Sequence, residues 1–394
     1  MELQKKLQTL MQEAVDTCQV AGVNLLVYQD GKEIFYGEAG YADREEKKPI
    51  SRDTIFRLYS QSKPVTAACA MKLMEEGKLD LYQCLGEFYP QFWDALVAEP
   101  GKALQRANGT VTVHDLLRMT SGIPYPDDQT PSGMASCKVF DEACARLHTD
   151  NGMTTQEFAE KMAKNPLAFH PGEKWAYGAS ADILGAVIEK ASGKRFGEYL
   201  KEAILEPLGM TDTAFYVPKE KQDRLAKTYE TYWENGKADM RLYTGDNLAI
   251  NNYMDKAPAF ESGGAGLAST LDDYMKFAQM LLQKGTYEGK QILKPATVEY
   301  MTGGALLDRQ QACYENWVGL NGFTYSNLMR ICHRPSQAGM LAREGEYGWD
   351  GWLGMYFANL PKEKITILMG TQKKDSGTFG LTRKLRNVLL SDLL

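Results

Sequence analysis

The chain lacks several features that would place it in common functional classes. It has no run of Lys and Arg, and 51 acidic residues against 45 basic ones give a formal net charge of −6, which excludes nucleic acid as a main partner. Its seven cysteines are scattered without a Cys-x-x-Cys pair, and with only four histidines it offers no zinc-ligand grouping. No stretch approaches about 18 uncharged apolar residues, so we expect no membrane span.

Sequence motifs for cofactors and for several hydrolase classes are also missing. The chain contains no Gly-x-Ser-x-Gly, no Gly-x-x-x-x-Gly-Lys-Ser/Thr, no His-Glu-x-x-His and no Gly-x-Gly-x-x-Gly. We therefore expect no metal and no cofactor. The first residues carry no continuous apolar segment of the secretory kind, and the cysteine count is odd. Both observations favour a cytoplasmic protein with reduced thiols.

The apolar pattern predicts a mixed α/β (α+β) fold. The 394 residues, 44% of them hydrophobic, are enough for a sizeable core in two or three lobes. An opening helix precedes two strands that flank Asp30-Gly31, a strong hairpin signal, and two more strands flank a turn at 361–364 before a last helix. The middle is mostly helical, with loops at 123–128 and 310–322. We expect both chain ends to build one antiparallel sheet covered by helices.

One short segment combines a nucleophile with a base. Ser60 and Lys63 stand three residues apart at the start of a helical run, so their side chains share one face. A serine hydroxyl needs a neighbouring base, which a partly buried lysine amine supplies. Lys63 also precedes Pro64, which disfavours a helical backbone there, and such local conflicts collect at functional sites.

The context of Ser60 resembles the serine β-lactamase and penicillin-binding-protein superfamily, in its class C-like branch. Five segments carry this resemblance in the family's order: residues 56–64, 114–124, 171–177, 263–270 and 347–357. They span nearly the whole chain. The resemblance implies a serine β-lactamase-like fold, with a sheet lobe from residues 1–79 and 266–394, a mainly helical lobe from 80–265, and the Ser60 helix at the seam of one catalytic unit.

The resemblance also implies residue roles. Ser60 would be the acylated nucleophile, Lys63 its proton-handling partner, and Tyr177 a second proton-transfer group whose phenolate the lysine cation favours. The backbone N–H groups of Ser60 and Trp352 would form the oxyanion hole. Whether Lys63 or Tyr177 takes the proton is left open by the sequence, because the two titrate as a coupled pair.

Two departures from the family pattern bear on the substrate. Ala179 stands where the family often has Asn, and Trp349 stands where it has Lys or His, in a strand that also places Gly351 at the substrate. The replaced groups would contact the amide and carboxylate of a β-lactam or a wall peptide. The pattern resembles family VIII carboxylesterases and related acyltransferases, so we expect the Trp349 indole to line an apolar pocket for small or medium esters.

The expected partner is thus a small-molecule ester or amide, and the expected activity is that of a serine hydrolase. Four functions remain open from the sequence. The first is a carboxylesterase, the second is a β-lactamase or D-amino-acid peptidase or amidase, the third is an acyltransferase, and the fourth is a sensor that binds β-lactam-like ligands without turnover.

Overall fold

The structure is a computed structural model that describes residues 2–317 and 319–394. Met1, in the predicted sheet lobe, and Val318, in the predicted loop 310–322, lie outside the described residues.

Helices form the ends of the chain and most of its middle. In chain order they are α1 (Glu2–Asp16), α2 (Lys63–Glu75), α3 (Leu85–Phe88), α4 (Val113–Arg118), α5 (Pro131–Arg146), α6 (Thr155–Met162), α7 (Ser180–Ser192), α8 (Phe196–Leu200), α9 (Glu206–Leu208), α10 (Leu271–Leu282), α11 (Pro295–Thr302), α12 (Asp308–Glu315) and α13 (Gly380–Leu393). A 3₁₀ turn at Tyr59–Ser62 leads directly into α2. No helix within the described residues is long and apolar enough to cross a membrane.

The strands come mainly from the two ends of the chain. In chain order they are β1 (Gly22–Gln29), β2 (Lys32–Asp43), β3 (Lys48–Pro49), β4 (Phe56–Arg57), β5 (Leu96–Val97), β6 (Gln105–Arg106), β7 (Thr228–Glu234), β8 (Lys237–Tyr243), β9 (Ala268–Ser269), β10 (Thr286–Tyr287), β11 (Lys290–Gln291), β12 (Phe323–Ser326), β13 (Met329–Cys332), β14 (Tyr347–Asp350), β15 (Tyr356–Leu360) and β16 (Ile365–Gly370).

One large antiparallel sheet joins these two ends. Its strand order is β12-β13-β14-β15-β16-β1-β2-β3, and β1 pairs with β16 in a register that sets Asn24 opposite Gly370. The hairpin between β1 and β2 turns at Asp30 and Gly31, both with positive φ, as a two-residue turn of the mirror-image type requires. The predicted antiparallel sheet and its mixed α/β class are confirmed.

The two faces of the sheet are covered by different helices. Helices α1 and α13 pack on one face through a cluster that includes Leu7, Met11, Leu385 and Leu389. Helix α10 packs on the other face, where Asn359 of β15 donates to a carbonyl of that helix. In both terminal helices the apolar residues recur at helical spacing. They therefore form one stripe along each helix, and that stripe is buried against the sheet.

The helical middle of the chain shares a core with the sheet. Helix α7 lies against α2 and α4, and one cluster of buried residues runs from Leu26 of β1 to Leu184 of α7. Helix α2 also contacts β14, so it lies between the sheet and the helices. The division of the chain at 79/80 and 265/266 stays a prediction.

Two segments differ from the sequence prediction. Residues 308–315 form α12, although 310–322 was predicted as a loop, because buried Gln310 and Tyr314 lie on one side of a short helix. Residues 228–243 form the hairpin of β7 and β8 inside the part predicted as mostly helical. Tyr229 and Met240 of this hairpin pack on Ala21, so a contact distant in sequence favours the strand pairing.

Candidate active site

The 3₁₀ turn between β4 and α2 presents Ser60. Tyr59, the residue before it, has a φ of 46°, a left-handed conformation that costs about 1–3 kcal/mol and persists only where the surroundings impose it. Buried Arg57, two residues before Tyr59, is held in place because its guanidinium donates to the carbonyls of Asn252 and Ala226 at 2.5 and 2.6 Å. The strand therefore ends at a fixed point, and Ser60 is half-exposed in the turn that follows.

Lys63 lies directly beneath the Ser60 hydroxyl. Its Nζ atom is 3.2 Å from Ser60 Oγ, 3.2 Å from the Tyr125 hydroxyl and 2.8 Å from the Gly264 carbonyl. Burial lowers the pKa of Lys63 to about 7, against the opposing fields of Asp182 and Asp350. A neutral amine with two donor contacts to Tyr125 and Gly264 keeps its lone pair for the serine proton. The predicted sharing of one face by Ser60 and Lys63 is present.

The conflict noted at Lys63 and Pro64 is also present in the structure. Lys63 has helical angles of φ −56° and ψ −45°, although a following proline disfavours them. Pro64 occupies the first turn of α2, where its missing N–H would have no partner in the helix. The disfavoured backbone conformation is therefore that of Lys63, whose side chain contacts the nucleophile.

A buried carboxylate that the sequence analysis did not single out lies behind Lys63. Asp182 of α7 is 1% exposed and accepts from the Ser262 hydroxyl at 2.5 Å and from the Gly264 N–H at 3.1 Å. Burial raises its pKa, and the Lys63 cation opposes this rise. Tyr125, in the predicted loop 123–128, lies between the two charges. A signal existed for Asp182, which is a lone acid in the apolar first turns of α7.

The glycine-rich segment before β9 is explained by this cluster. A Cβ atom on Gly264 would lie 2.7 Å from the Tyr125 hydroxyl and 2.8 Å from an Asp182 carboxylate oxygen. Only a residue without a side chain lets the Gly264 backbone meet Lys63 and Asp182 together.

Tyr177 approaches Ser60 from the other side. Its hydroxyl accepts from the Trp349 indole N–H at 3.2 Å, and it lies close enough to the Ser60 hydroxyl for that group to lower its pKa. The Lys63 ammonium position lies 4.6 Å from the centre of the Tyr177 ring, over its face. Burial raises the pKa of Tyr177, and its contacts with Ser60 and Trp349 lower it only in part. The raised pKa favours the protonated phenol, and the expectation that the lysine cation favours a phenolate stays a prediction.

The turn after β14 lies against the Ser60 turn. A Cβ atom on Gly351 would lie 2.2 Å from the Leu58 carbonyl oxygen, so only glycine permits this approach. The Trp352 ring packs 4.9 Å from the Tyr59 ring. Within residues 2–317 and 319–394, neither the Ser60 N–H nor the Trp352 N–H makes a hydrogen bond. Both N–H groups therefore lack a backbone partner among these residues, and their assignment to the oxyanion hole stays a prediction.

Two predicted substrate-binding residues are not exposed. Ala179 is 0% exposed at the start of α7, and its N–H donates to the Ile123 carbonyl, so it presents no atom to a substrate. Trp349 is 3% exposed and contacts Tyr177 from behind. The rings of Tyr177, Trp317 and Tyr325 pack around this indole, and the expectation that it lines an apolar pocket for the ester stays a prediction.

A different tryptophan is exposed at the mouth of the site. Trp317, which follows α12, has 39% of its surface exposed, and its ring centre lies 4.7 Å from that of Tyr177. The sequence analysis missed it because residues 310–322 carry no family motif. Within the described residues, no group of His, Cys, Asp or Glu is arranged to hold a metal ion.

The chain is similar to several known proteins. The chain is 31% identical to Protein Rv1367c of Mycobacterium tuberculosis over 89% of this chain and 84% of that one. It is 27% identical to Esterase EstB of Burkholderia gladioli over 98% and 95% of the two chains. The solved structure of EstCE1, described as a hydrolase with promiscuous acyltransferase activity, matches with a TM-score of 0.79 and 25% identity over 98% of each chain.

The predicted superfamily and the fold it implied are confirmed. Residues 7–390 match the Beta-lactamase family along nearly the whole chain, and the chain belongs to that family.

Proposed function

We propose that the protein is a carboxylesterase that acts through an acyl-enzyme on Ser60. The observation that carries the proposal is the position of Ser60 Oγ between a buried lysine, 3.2 Å away, and the hydroxyl of Tyr177. Because the pKa of Lys63 is lowered to about 7, a large fraction of this lysine is a neutral amine at neutral pH. A neutral amine in contact with a serine hydroxyl is a general base.

Each group then has one task in the reaction. Ser60 Oγ forms a bond to the ester carbonyl carbon while its proton passes to Lys63 Nζ. The N–H groups of Ser60 and Trp352 stabilise the negative charge on the carbonyl oxygen. As the C–O bond breaks, the Tyr177 phenol gives its proton to the leaving alkoxide, and the Lys63 ammonium returns a proton to Tyr177. Water then attacks the acyl-enzyme with the same base, which releases the acid and Ser60.

Neutral esters are the proposed substrates because the site lacks the family's cation at position 349. Arg330, whose guanidinium lies 5.9 Å from the Trp349 ring, is 1% exposed and is paired with Asp350 at 3.5 Å, so it does not reach a substrate carboxylate. A charge-assisted hydrogen bond contributes about 1.5–3 kcal/mol, and each 1.4 kcal/mol is a factor of ten. With the Asn amide also absent, we expect anionic β-lactams to react at least about a hundredfold less efficiently than neutral esters.

Acyl transfer is a second candidate. The similarity to EstCE1, a hydrolase with promiscuous acyltransferase activity, supports the idea that an alcohol can replace water as the acceptor. Addition of a primary alcohol to the ester assay separates the two, because transfer yields a new ester while hydrolysis yields only the acid.

The unpaired state of the cysteine thiols across the described residues supports the cytoplasmic location expected from the sequence.

Labelling of the nucleophile tests the proposal. A fluorophosphonate probe should add to Ser60 in the intact protein, as seen by mass spectrometry, and Ser60→Ala should abolish both the adduct and the cleavage of p-nitrophenyl butyrate. Ser391→Ala, on the exposed side of α13, is the matched control and should react like the native protein. Absence of an adduct on folded protein would support the sensor instead. A higher kcat/KM for nitrocefin than for any ester tested would make the β-lactamase the better assignment.

A further inference from the structure

Trp317 is the solvent-facing member of a layer of aromatic rings around Tyr177. The rings of Trp175 and Trp349 also belong to this layer, with centres 5.6 and 6.3 Å from that of Trp317. These two indoles are 6% and 3% exposed, whereas Trp317 is 39% exposed. The apolar surface that this layer offers to a ligand is therefore mainly the face of one indole.

Helix α12 is held in place from two sides, and Trp317, two residues after its end, donates through its backbone N–H to the Tyr314 carbonyl of that helix. Gln310 of α12 donates to the Gly172 carbonyl at 2.8 Å, in the loop that leads to Tyr177, and Arg309 donates to the same carbonyl at 3.1 Å. Gln311 donates to the Phe323 carbonyl of β12 at 2.8 Å. Helix α12 is thus fastened to both the loop and the sheet edge. A binding surface fixed in this way loses little entropy when a ligand packs on it.

The position of Trp317 beside Tyr177 indicates which part of the substrate it meets. In the proposed reaction, Tyr177 gives a proton to the leaving alkoxide, so the alcohol part of the ester lies next to its hydroxyl. The indole that packs 4.7 Å from the Tyr177 ring therefore lies beside the alcohol part. The acyl carbon, by contrast, lies between Ser60 Oγ and the oxyanion N–H groups, toward Trp352.

We infer that Trp317 is a specificity-determining residue that selects esters of planar, apolar alcohols by stacking on the alcohol part. This inference rests on the proposed esterase activity and adds the substrate class. Aromatic pairs prefer ring separations of about 4.5–7 Å, and their interaction corresponds to a factor of about two to twelve in binding. Trp317 leaves 39% of its surface exposed for such a pair, and a small aliphatic alcohol has no ring with which to form one.

The acceptor alcohol in an acyl-transfer reaction occupies the same place. The acyl-enzyme is attacked along the path by which the first alcohol left, because the forward and reverse steps share one transition state. Trp317 should therefore favour aromatic acceptor alcohols over aliphatic ones. This second consequence does not depend on which ester forms the acyl-enzyme.

Two acetate esters with the same acyl group test the inference. For Trp317→Ala we expect KM for 2-naphthyl acetate to rise about three- to tenfold, with kcat nearly unchanged. The kinetics of ethyl acetate should also be nearly unchanged. Trp317→Phe should restore most of the lost affinity for 2-naphthyl acetate. Trp233→Ala, which removes an indole that is 72% exposed on the β7–β8 hairpin, is the control and should change neither ester. Transfer of the acetyl group to benzyl alcohol should fall relative to transfer to ethanol in the same variant.

Two results would overturn the inference. An equal loss of kcat for both esters would mean that Trp317 only holds Tyr177 in place. A change that follows the length of the acyl chain, with the alcohol kept constant, would place the indole at the acyl group. Fluorophosphonate labelling of Ser60 in Trp317→Ala separates these outcomes from a failure of the esterase proposal, since the label requires an activated Ser60 and no alcohol group of an ester.

Discussion

The acidity of Lys63 leads to a prediction for the pH dependence of catalysis. Burial lowers the pKa of this lysine to about 7, and only its neutral form accepts the Ser60 proton. About one lysine in ten is then neutral at pH 6, half at pH 7 and about nine in ten at pH 8. We expect kcat/KM for p-nitrophenyl butyrate to rise about tenfold per pH unit below pH 6 and to reach a plateau above pH 8.

Substitution of Asp182 tests whether Lys63 is the group that sets the pH dependence. Its buried negative charge raises the pKa of Lys63, so Asp182→Asn should lower that pKa and move the acidic limb of the profile down by about one pH unit. The readout is the position of the limb, which does not depend on how much activity the variant retains. Asp150→Asn, at an exposed site, is the control and should leave the limb in place.

The reasoning would be refuted by either of two profiles. A limb centred above pH 9 would show a lysine with an ordinary pKa and would leave proton transfer to another group. A limb that moves to higher pH in Asp182→Asn would contradict the sign of the interaction between Asp182 and Lys63. The measurement needs constant ionic strength, because screening changes the contribution of distant charges.

Three further substitutions give independent expectations. Lys63 loses its proton near pH 7 in the folded protein but keeps it to about pH 10.4 in the unfolded chain. The unfolded chain therefore binds one more proton between pH 7 and 10, and the free energy of unfolding should rise by about 1.4 kcal/mol per pH unit in this range, relative to Lys63→Met. Urea titrations measure this difference. Gly264→Ala places a Cβ atom 2.8 Å from a buried carboxylate oxygen and should lower both Tm and kcat/KM, whereas Gly339→Ala, with open space around it, should change neither. Trp349→Phe removes the hydrogen bond to Tyr177 and should reduce kcat/KM about two- to tenfold, measured on protein whose circular dichroism is unchanged.

The parts of the fold that the sequence predicted are those with strong local signals. Asp30-Gly31 is a turn that needs two positive φ values, and the structure has both. The mostly helical middle was also predicted, and it includes α7, whose apolar residues are regularly spaced. The hairpin of β7 and β8 was missed, since Tyr229 packs on Ala21 across more than half the chain, and no local pattern reports such a contact.

The residues of the site also fall into those that a sequence motif predicted and those that it did not. Ser60, Lys63 and Tyr177 lie in segments whose residue order resembles a family, and the structure brings them together. The burial of Trp349 could not be predicted, because it depends on aromatic rings that come from distant segments, those of Tyr177, Trp317 and Tyr325. Trp317 lies in a segment without a family motif. The lone acid Asp182 was visible in the apolar start of α7, but its contact with Gly264 lies 82 residues away in the chain.

The pairing of β1 with β16 sets an order for the assembly of the active site during synthesis. The nucleophile turn emerges from the ribosome early, but the edge of β1 that sets Asn24 opposite Gly370 has no partner until nearly the whole chain has been made. Such distant pairings fold slowly, and an unpaired edge strand is open to association with other chains. A product that stops before β16 would carry Ser60 and Lys63 and still lack the strand that joins β1 to β15. Premature termination should therefore yield aggregation-prone fragments and not a weak enzyme.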